Sequence, residues 1–147
     1  MGATDTTLTQ VDSAIADLLS ISQSGDAIST VARAANAISA PMPDLFALYS
    51  PILPPELLAM DYQGREIVLD GMDLDFAAAQ SDVSDLESTW QTVRQQVVDA
   101  GGTTEVDDFD ASVANLLTMV DTEDAEGLMT EANVNLDLVD VLEGLFE

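Results

Sequence analysis

The side chains that could do chemistry in this chain are nearly all carboxylates. There are 28 Asp and Glu against three Arg, with no His, Lys or Cys. A nucleophilic triad needs a base to activate its hydroxyl, and no imidazole, amine or thiolate remains to serve. Acid–base work would fall to a carboxylate or to Tyr49 or Tyr62. Carboxylates this dense pair at many spacings, so pairing alone marks no hydrolase. The inventory predicts a protein that is not an enzyme and holds no cofactor.

Two acidic runs have the oxygen density of a cation site. Asp70, Asp73 and Asp75 surround Gly71, and Asp121, Glu123 and Asp124 open a second group that continues through Glu126 to Glu131. An EF-hand loop wants glycine at its sixth position and a bidentate Glu at its twelfth. In the second run Gly127 falls seventh and Glu131 eleventh. Both runs therefore read first as helix caps and solvated acidic surface. Divalent-cation binding is the alternative function they leave open.

The run Asp61-Tyr62-Gln63-Gly64-Arg65-Glu66 sets one of the three Arg between acids, with Tyr62 at a core position. It predicts a polar cluster of Asp61, Tyr62, Arg65 and Glu66 tying Arg65 to carboxylates across a helix contact, with Gly64 as a packing notch. A small pocket or a contact surface is the functional version of the same residues. Arg33 and Arg94 face a similar surplus of acid.

Charge excludes whole classes of partner. A net charge of −25 offers no basic face for phosphate backbones or anionic lipid. No apolar run approaches the roughly 20 residues of a membrane span. The start Met1-Gly2-Ala3-Thr4-Asp5 is polar and lacks the form of a leader. High net charge with 47% hydrophobic residues predicts folding rather than disorder. This composition resembles the proteins of salt-adapted organisms, which implies inorganic cations as counter-ions. It fits a halophile's cytoplasm, or an exported protein whose leader was removed.

The elements that must position these groups are helices. Thr7 to Gln10 fits a capping box opening a helix with Leu8, Val11, Ile15, Leu18 and Leu19 on one stripe. A second follows Asp26 with Ile28, Val31, Ala35 and Ile38, completing an N-terminal hairpin over residues 1–40. Residues 41–55 hold all five prolines, and Leu45–Tyr49 reads as a short helical turn between them. Pro55 opens a helix with Leu58, Tyr62 and Leu69 inward, and Asp70-Gly71 is its expected stop. From about Asp73, Phe76, Val83, Leu86, Trp90, Val93 and Val97 recur at the spacing of a bundle seam. Thr104 is the expected cap of the next helix, which turns Val106, Phe109, Val113, Leu116, Leu117 and Val120 inward. The last begins at 122–124 and buries Leu128, Ala132, Asn135, Val139, Leu142 and Phe146. The prediction is a single all-α domain, an antiparallel four-helix core over 55–147 preceded by the hairpin.

Phe109-Asp110, Val113 and Leu116, followed by Asp124, Leu128, Glu131-Ala132 and Leu136, resemble the second half of the cytochrome b562 and cytochrome c′ type of four-helix bundle. With Trp90 and Arg94 the layout also looks like small extracytoplasmic helical proteins. The resemblance implies a fold without the haem, because the His ligand and the Cys-x-x-Cys-His attachment are both missing. The function expected on these grounds is contact with a protein partner or a second copy, as an accessory, scaffold or assembly subunit. Leu45, Phe46, Leu48 and Tyr49 are the candidate contact residues. A third expectation is an apolar ligand held between the helices bearing Tyr62 and Trp90.

Overall fold

The computed structural model describes residues 5–49 and 51–146. The opening residues 1–4, read above for a leader, lie outside them. The helices are α1 (Asp5–Ser24), α2 (Ile28–Asn36), α3 (Met42–Ala47), α4 (Pro55–Asp73), α5 (Phe76–Asp99), α6 (Thr103–Asp121) and α7 (Ala125–Glu143), closed by a 3₁₀ turn at Gly144–Phe146. No strand occurs among the described residues.

Helices α4 to α7 form the bundle. Links as short as Leu74-Asp75 and Thr122–Asp124 force consecutive helices to run antiparallel, and α4 lies beside α7 to close the ring. The seam of α5 is Ala79, Val83, Leu86, Trp90, Val93 and Val97, all buried. Val106, Phe109, Val113, Leu116 and Val120 face it from α6. Leu128, Ala132, Asn135, Val139 and Leu142 complete the interior from α7. These faces match the expected ones.

The face of α4 matches only in part. Leu69 is buried as expected and joins Leu57, Met60, Gly64, Ile67 and Gly71, whereas Leu58 and Tyr62 stay half-buried. Two seam positions are glycines seven residues apart, so α7 can approach closely. A Cβ at Gly64 would stand 2.8 Å from Leu136 Cδ2, and one at Gly71 would stand 2.7 Å from Met129 Cγ. Leu136 and Met129 are themselves seven apart, so the two helices interlock knob to notch in antiparallel register.

Several expected boundaries shift for local reasons. Asp70-Gly71 does not stop α4: Asp70 is neutralised across the helix contact and Gly71 serves packing. The helix ends at Leu74, a left-handed residue (φ 58°) whose N–H reaches the carbonyls of Asp70 and Gly71. Asp75, not Asp73, precedes α5 and caps it by accepting from the Ala78 N–H at 3.0 Å. Gly102 takes the cap position expected of Thr104, and α6 starts at Thr103. Thr7 lies buried inside α1 instead of capping it.

The hairpin stays out of the hydrophobic core, which draws no buried residue from α1, α2 or α3. The least exposed positions of α1 are Thr7, Val11, Ala14, Leu18 and Ile21, which face α2 at heptad spacing and leave Leu8, Ile15 and Leu19 exposed. On α2 the buried residues are Ala34 and Asn36, while the expected Ile28 and Ala35 are exposed. Helix α2 then sits on α4, and so does α3.

Candidate functional site: a charge cluster joining three helices

The seat of α2 on α4 is polar. Arg33 and Asn36 share one face of α2, and Tyr62, Glu66, Asp70 and Asp73 recur along α4 at helical spacing. The Arg33 guanidinium donates to Glu66 Oε2 and Asp70 Oδ1, both at 2.7 Å, and to Asp73 Oδ2 at 3.1 Å. Asn36 donates from Nδ2 to Glu66 Oε1 at 2.7 Å and to the Tyr62 carbonyl at 3.1 Å. Its Oδ1 accepts from Arg65 Nε at 2.7 Å, and Arg65 Nη1 reaches Asp61 Oδ2 at 2.6 Å. Asn36 thus links the two arginines into one network.

Asp70 is the buried end of this cluster, its side chain 0% exposed. Burial pushes its carboxyl up; the hydrogen bonds from Arg33 and Asp82 oppose that. Asp82, half-buried on α5, is pushed up to about 7, by burial first and then by the hydrogen bond and charge of Asp70. Arg33 is raised further above its ordinary value, its burial outweighed by hydrogen bonds to Asp70, Asp73 and Glu66. Burial and the charge of Glu66 raise the Tyr62 phenol. Burial and like charge thus make it costly to ionise both Asp70 and Asp82.

The structure brings Asp61, Arg65 and Glu66 into one network through Asn36, which Tyr62 enters only by its backbone carbonyl; Glu66 serves Arg33 and Asn36 of α2, while Arg65 takes Asp61. Asp82 escaped the sequence reading. Its only signal there is its place beside Val83 on the α5 seam.

The acidic runs separate. Asp70 and Asp73 are bound to Arg33, and Asp75 caps α5. Asp124 caps α7 by accepting from the Gly127 N–H at 3.0 Å, and Asp121 and Glu123 point to solvent. Among the described residues no three acidic side chains converge as a metal site would require.

A second charged contact joins α5 to α6. Trp90 Nε1 donates to Asp110 Oδ1 at 2.6 Å, and Arg94 Nη2 reaches Asp110 Oδ2 at 2.7 Å. The Arg94 hydrogen bond, more than that of Trp90, holds Asp110 below the usual carboxylate range. The Trp90 ring lies 4.5 Å from that of Phe109. The cleft there, about 410 Å³, is lined from α5 and α6 alone, so Tyr62 on α4 has no part in it.

A groove of about 900 Å³ runs between α1 and α2. It reaches Arg33 and Asp73 but neither Asp70 nor Asp82. In the Pro-rich connector over residues 41–55, Leu45 is half-buried, Phe46 and Leu48 are exposed, and Tyr49 and Ile52 are each 84% exposed. Phe46, Pro51, Ile52 and Leu53 border a further cleft with Glu143 and Phe146. No helix among the described residues is long and apolar enough to cross a membrane. No family model, curated protein or solved structure matches the chain.

Proposed function

We propose that this protein acts by contact rather than catalysis, as an accessory or assembly subunit in a salty medium. The observation that carries the reading is where the exposed apolar surface lies. Leu8, Ile15, Leu19, Ile28, Phe46, Leu48, Tyr49 and Ile52 are all exposed, and all belong to the hairpin and connector. Exposed large hydrophobics in the bundle helices and their links are fewer: Met72, Leu74, Val134 and Val141. Single exposed apolar residues are ordinary, but four within residues 46–52 make a patch suited to another surface. The acidic bundle supplies a soluble body, and the N-terminal third supplies what touches.

A test measures mass by sedimentation across a salt series, for the wild type and a Tyr49→Ser/Ile52→Ser variant. In molar salt screening shrinks to about 3 Å, so like-charged copies can approach. The wild type should then associate through the connector, and the variant should stay monomeric with unchanged helicity. Equal masses for both proteins at every salt and concentration would count against the connector as a contact surface between copies.

A further inference from the structure

The hairpin turns its apolar side away from the body that carries it. At about 3.6 residues per turn, Leu8, Ile15 and Leu19 lie to one side of the α1 face that meets α2. Val31, Ala35 and Ile28 lie to one side of buried Ala34 on α2. The two helices run antiparallel, so these sides form a single flank of the hairpin. All six residues except half-buried Val31 are exposed, Ile28 at 81%. The opposite flank is polar. Gln10, Ser13 and Asp17 of α1, with Thr30 and Arg33 of α2, line the groove that reaches Asp73 of α4. A surface helix usually buries its apolar side on its own core. Here the polar flank faces the bundle.

We infer that the apolar flank is the seat for the connector of a second copy, so that two chains dimerise by laying each connector on the other's hairpin. The inference rests on the contact reading above and names the surface that the connector meets.

Area sets the first condition. A stable interface buries about 800 Å² on each partner, and a fully exposed large apolar side chain presents about 200 Å². By their exposures, Phe46, Leu48, Tyr49 and Ile52 offer about 500 Å², and Leu8, Ile15, Leu19 and Ile28 slightly less. Connector on connector alone, or flank on flank alone, falls short. A reciprocal exchange uses both patches of both chains and reaches about 900–1,000 Å² a side.

Charge and shape decide which patch meets which. At −25 a chain, copies can meet only where carboxylates are sparse. Asp12 stands between Leu8 and Ile15 on the flank by its spacing, so flank on flank would oppose carboxylate to carboxylate. Residues 45–55 carry no charged side chain, and a connector covers the flank without adding one. Tyr49 and Ile52 stand clear of their own fold, and two packed helices leave a valley along their contact that such side chains can enter.

Sedimentation of the full chain in molar salt tests this, with circular dichroism to follow helicity. The wild type should weigh two chains. Ile15→Gln/Leu19→Gln, which keeps good helix formers on α1, should weigh one, as should Tyr49→Ser/Ile52→Ser. The chain has no cysteine, so cross-linking gives a readout that spares the contact residues. Ala47→Cys and Ser22→Cys proteins, mixed and treated with a flexible bis-maleimide, should couple to each other several-fold more than either couples to itself. A wild type of one chain at every salt and concentration would remove contact between copies, and this inference with it. A wild-type dimer that the Ile15→Gln/Leu19→Gln variant retains would overturn the inference alone and leave the flank to a different partner. Cross-links formed mainly within the Ala47→Cys protein or within the Ser22→Cys protein would overturn it as well, with the connector reading still standing.

Discussion

Arg33 Nη2 lies 2.7 Å from Oδ1 of Asp70, a carboxylate with no solvent exposure, across the contact between α2 and α4. That one pair joins the peripheral hairpin to a helix of the core. Removing its cation strands a buried charge, which costs far more than an exposed pair contributes. Arg33→Met should therefore lower stability by about 3 kcal/mol. Arg65→Met, which breaks a half-exposed pair on α4 and takes the donor from Asn36 Oδ1, should cost less, about 1–2 kcal/mol. Denaturant titration of both variants in the same salt checks the ranking.

Stability should peak on the acid side of neutrality, because two sets of acids pull in opposite directions. Asp73 is held low by its hydrogen bond to Ser29 and then by Arg33, and Asp110 chiefly by Arg94. Their contribution is present above the ordinary carboxylate value and is lost as pH falls through their lowered ones. Asp82 behaves oppositely: its contribution is full below the ordinary Asp value and is lost as pH rises toward about 7. Melting temperatures followed by circular dichroism at constant salt should fall from about pH 5 to 7 and then level. Asp110→Asn should lower stability above the ordinary carboxylate range and flatten the acid limb, while the fall toward pH 7 stays in place.

Gly64 should resist substitution although it lies inside a helix. Alanine would normally gain about 1 kcal/mol of helix propensity there. The new methyl would instead press on Leu136 at 2.8 Å, so Gly64→Ala should destabilise by about 1–2 kcal/mol. Adding Leu136→Ala should recover part of that loss, and a thermal-melt double-mutant cycle measures the coupling.

Asn135 is a polar residue in the apolar interior, 0% exposed. Its Nδ2 donates to Ser112 Oγ at 3.2 Å, while its Oδ1 has no partner. Replacing both groups by apolar ones, Asn135→Leu with Ser112→Ala, should stabilise the bundle by about 1 kcal/mol. Denaturation midpoints test this. Asn135→Leu alone should gain less, because the Ser112 hydroxyl stays buried.

The bundle was legible because α5, α6 and α7 write their seams in large side chains. Trp90, Phe109 and Leu128 each recur in step with aliphatic neighbours, and the structure buries all three. Gly64 was legible as a packing notch and lies against Leu136, but Gly71 carries no side chain to announce a core position, and the seam was read toward Leu58 and Tyr62. The hairpin was legible as two helices, but its seat was not. Periodicity finds apolar faces, and α2 docks through Arg33 and Asn36. Nor can composition single out Asp70 and Asp82 among 28 acids, since the burial that raises them depends on neighbours remote in sequence. The run Asp61–Glu66 stood out for its arginine, and half of that arginine's network proved to lie on α2.

A hairpin kept outside the core also sets an order of events during synthesis. Helices α1 and α2 leave the ribosome before α4, yet the polar bonds that seat α2 reach α4, and the buried face of α4 waits in turn for α7. A segment made early is thus fastened late. Until then the nascent hairpin stays in solution on its charge and on the salt around it.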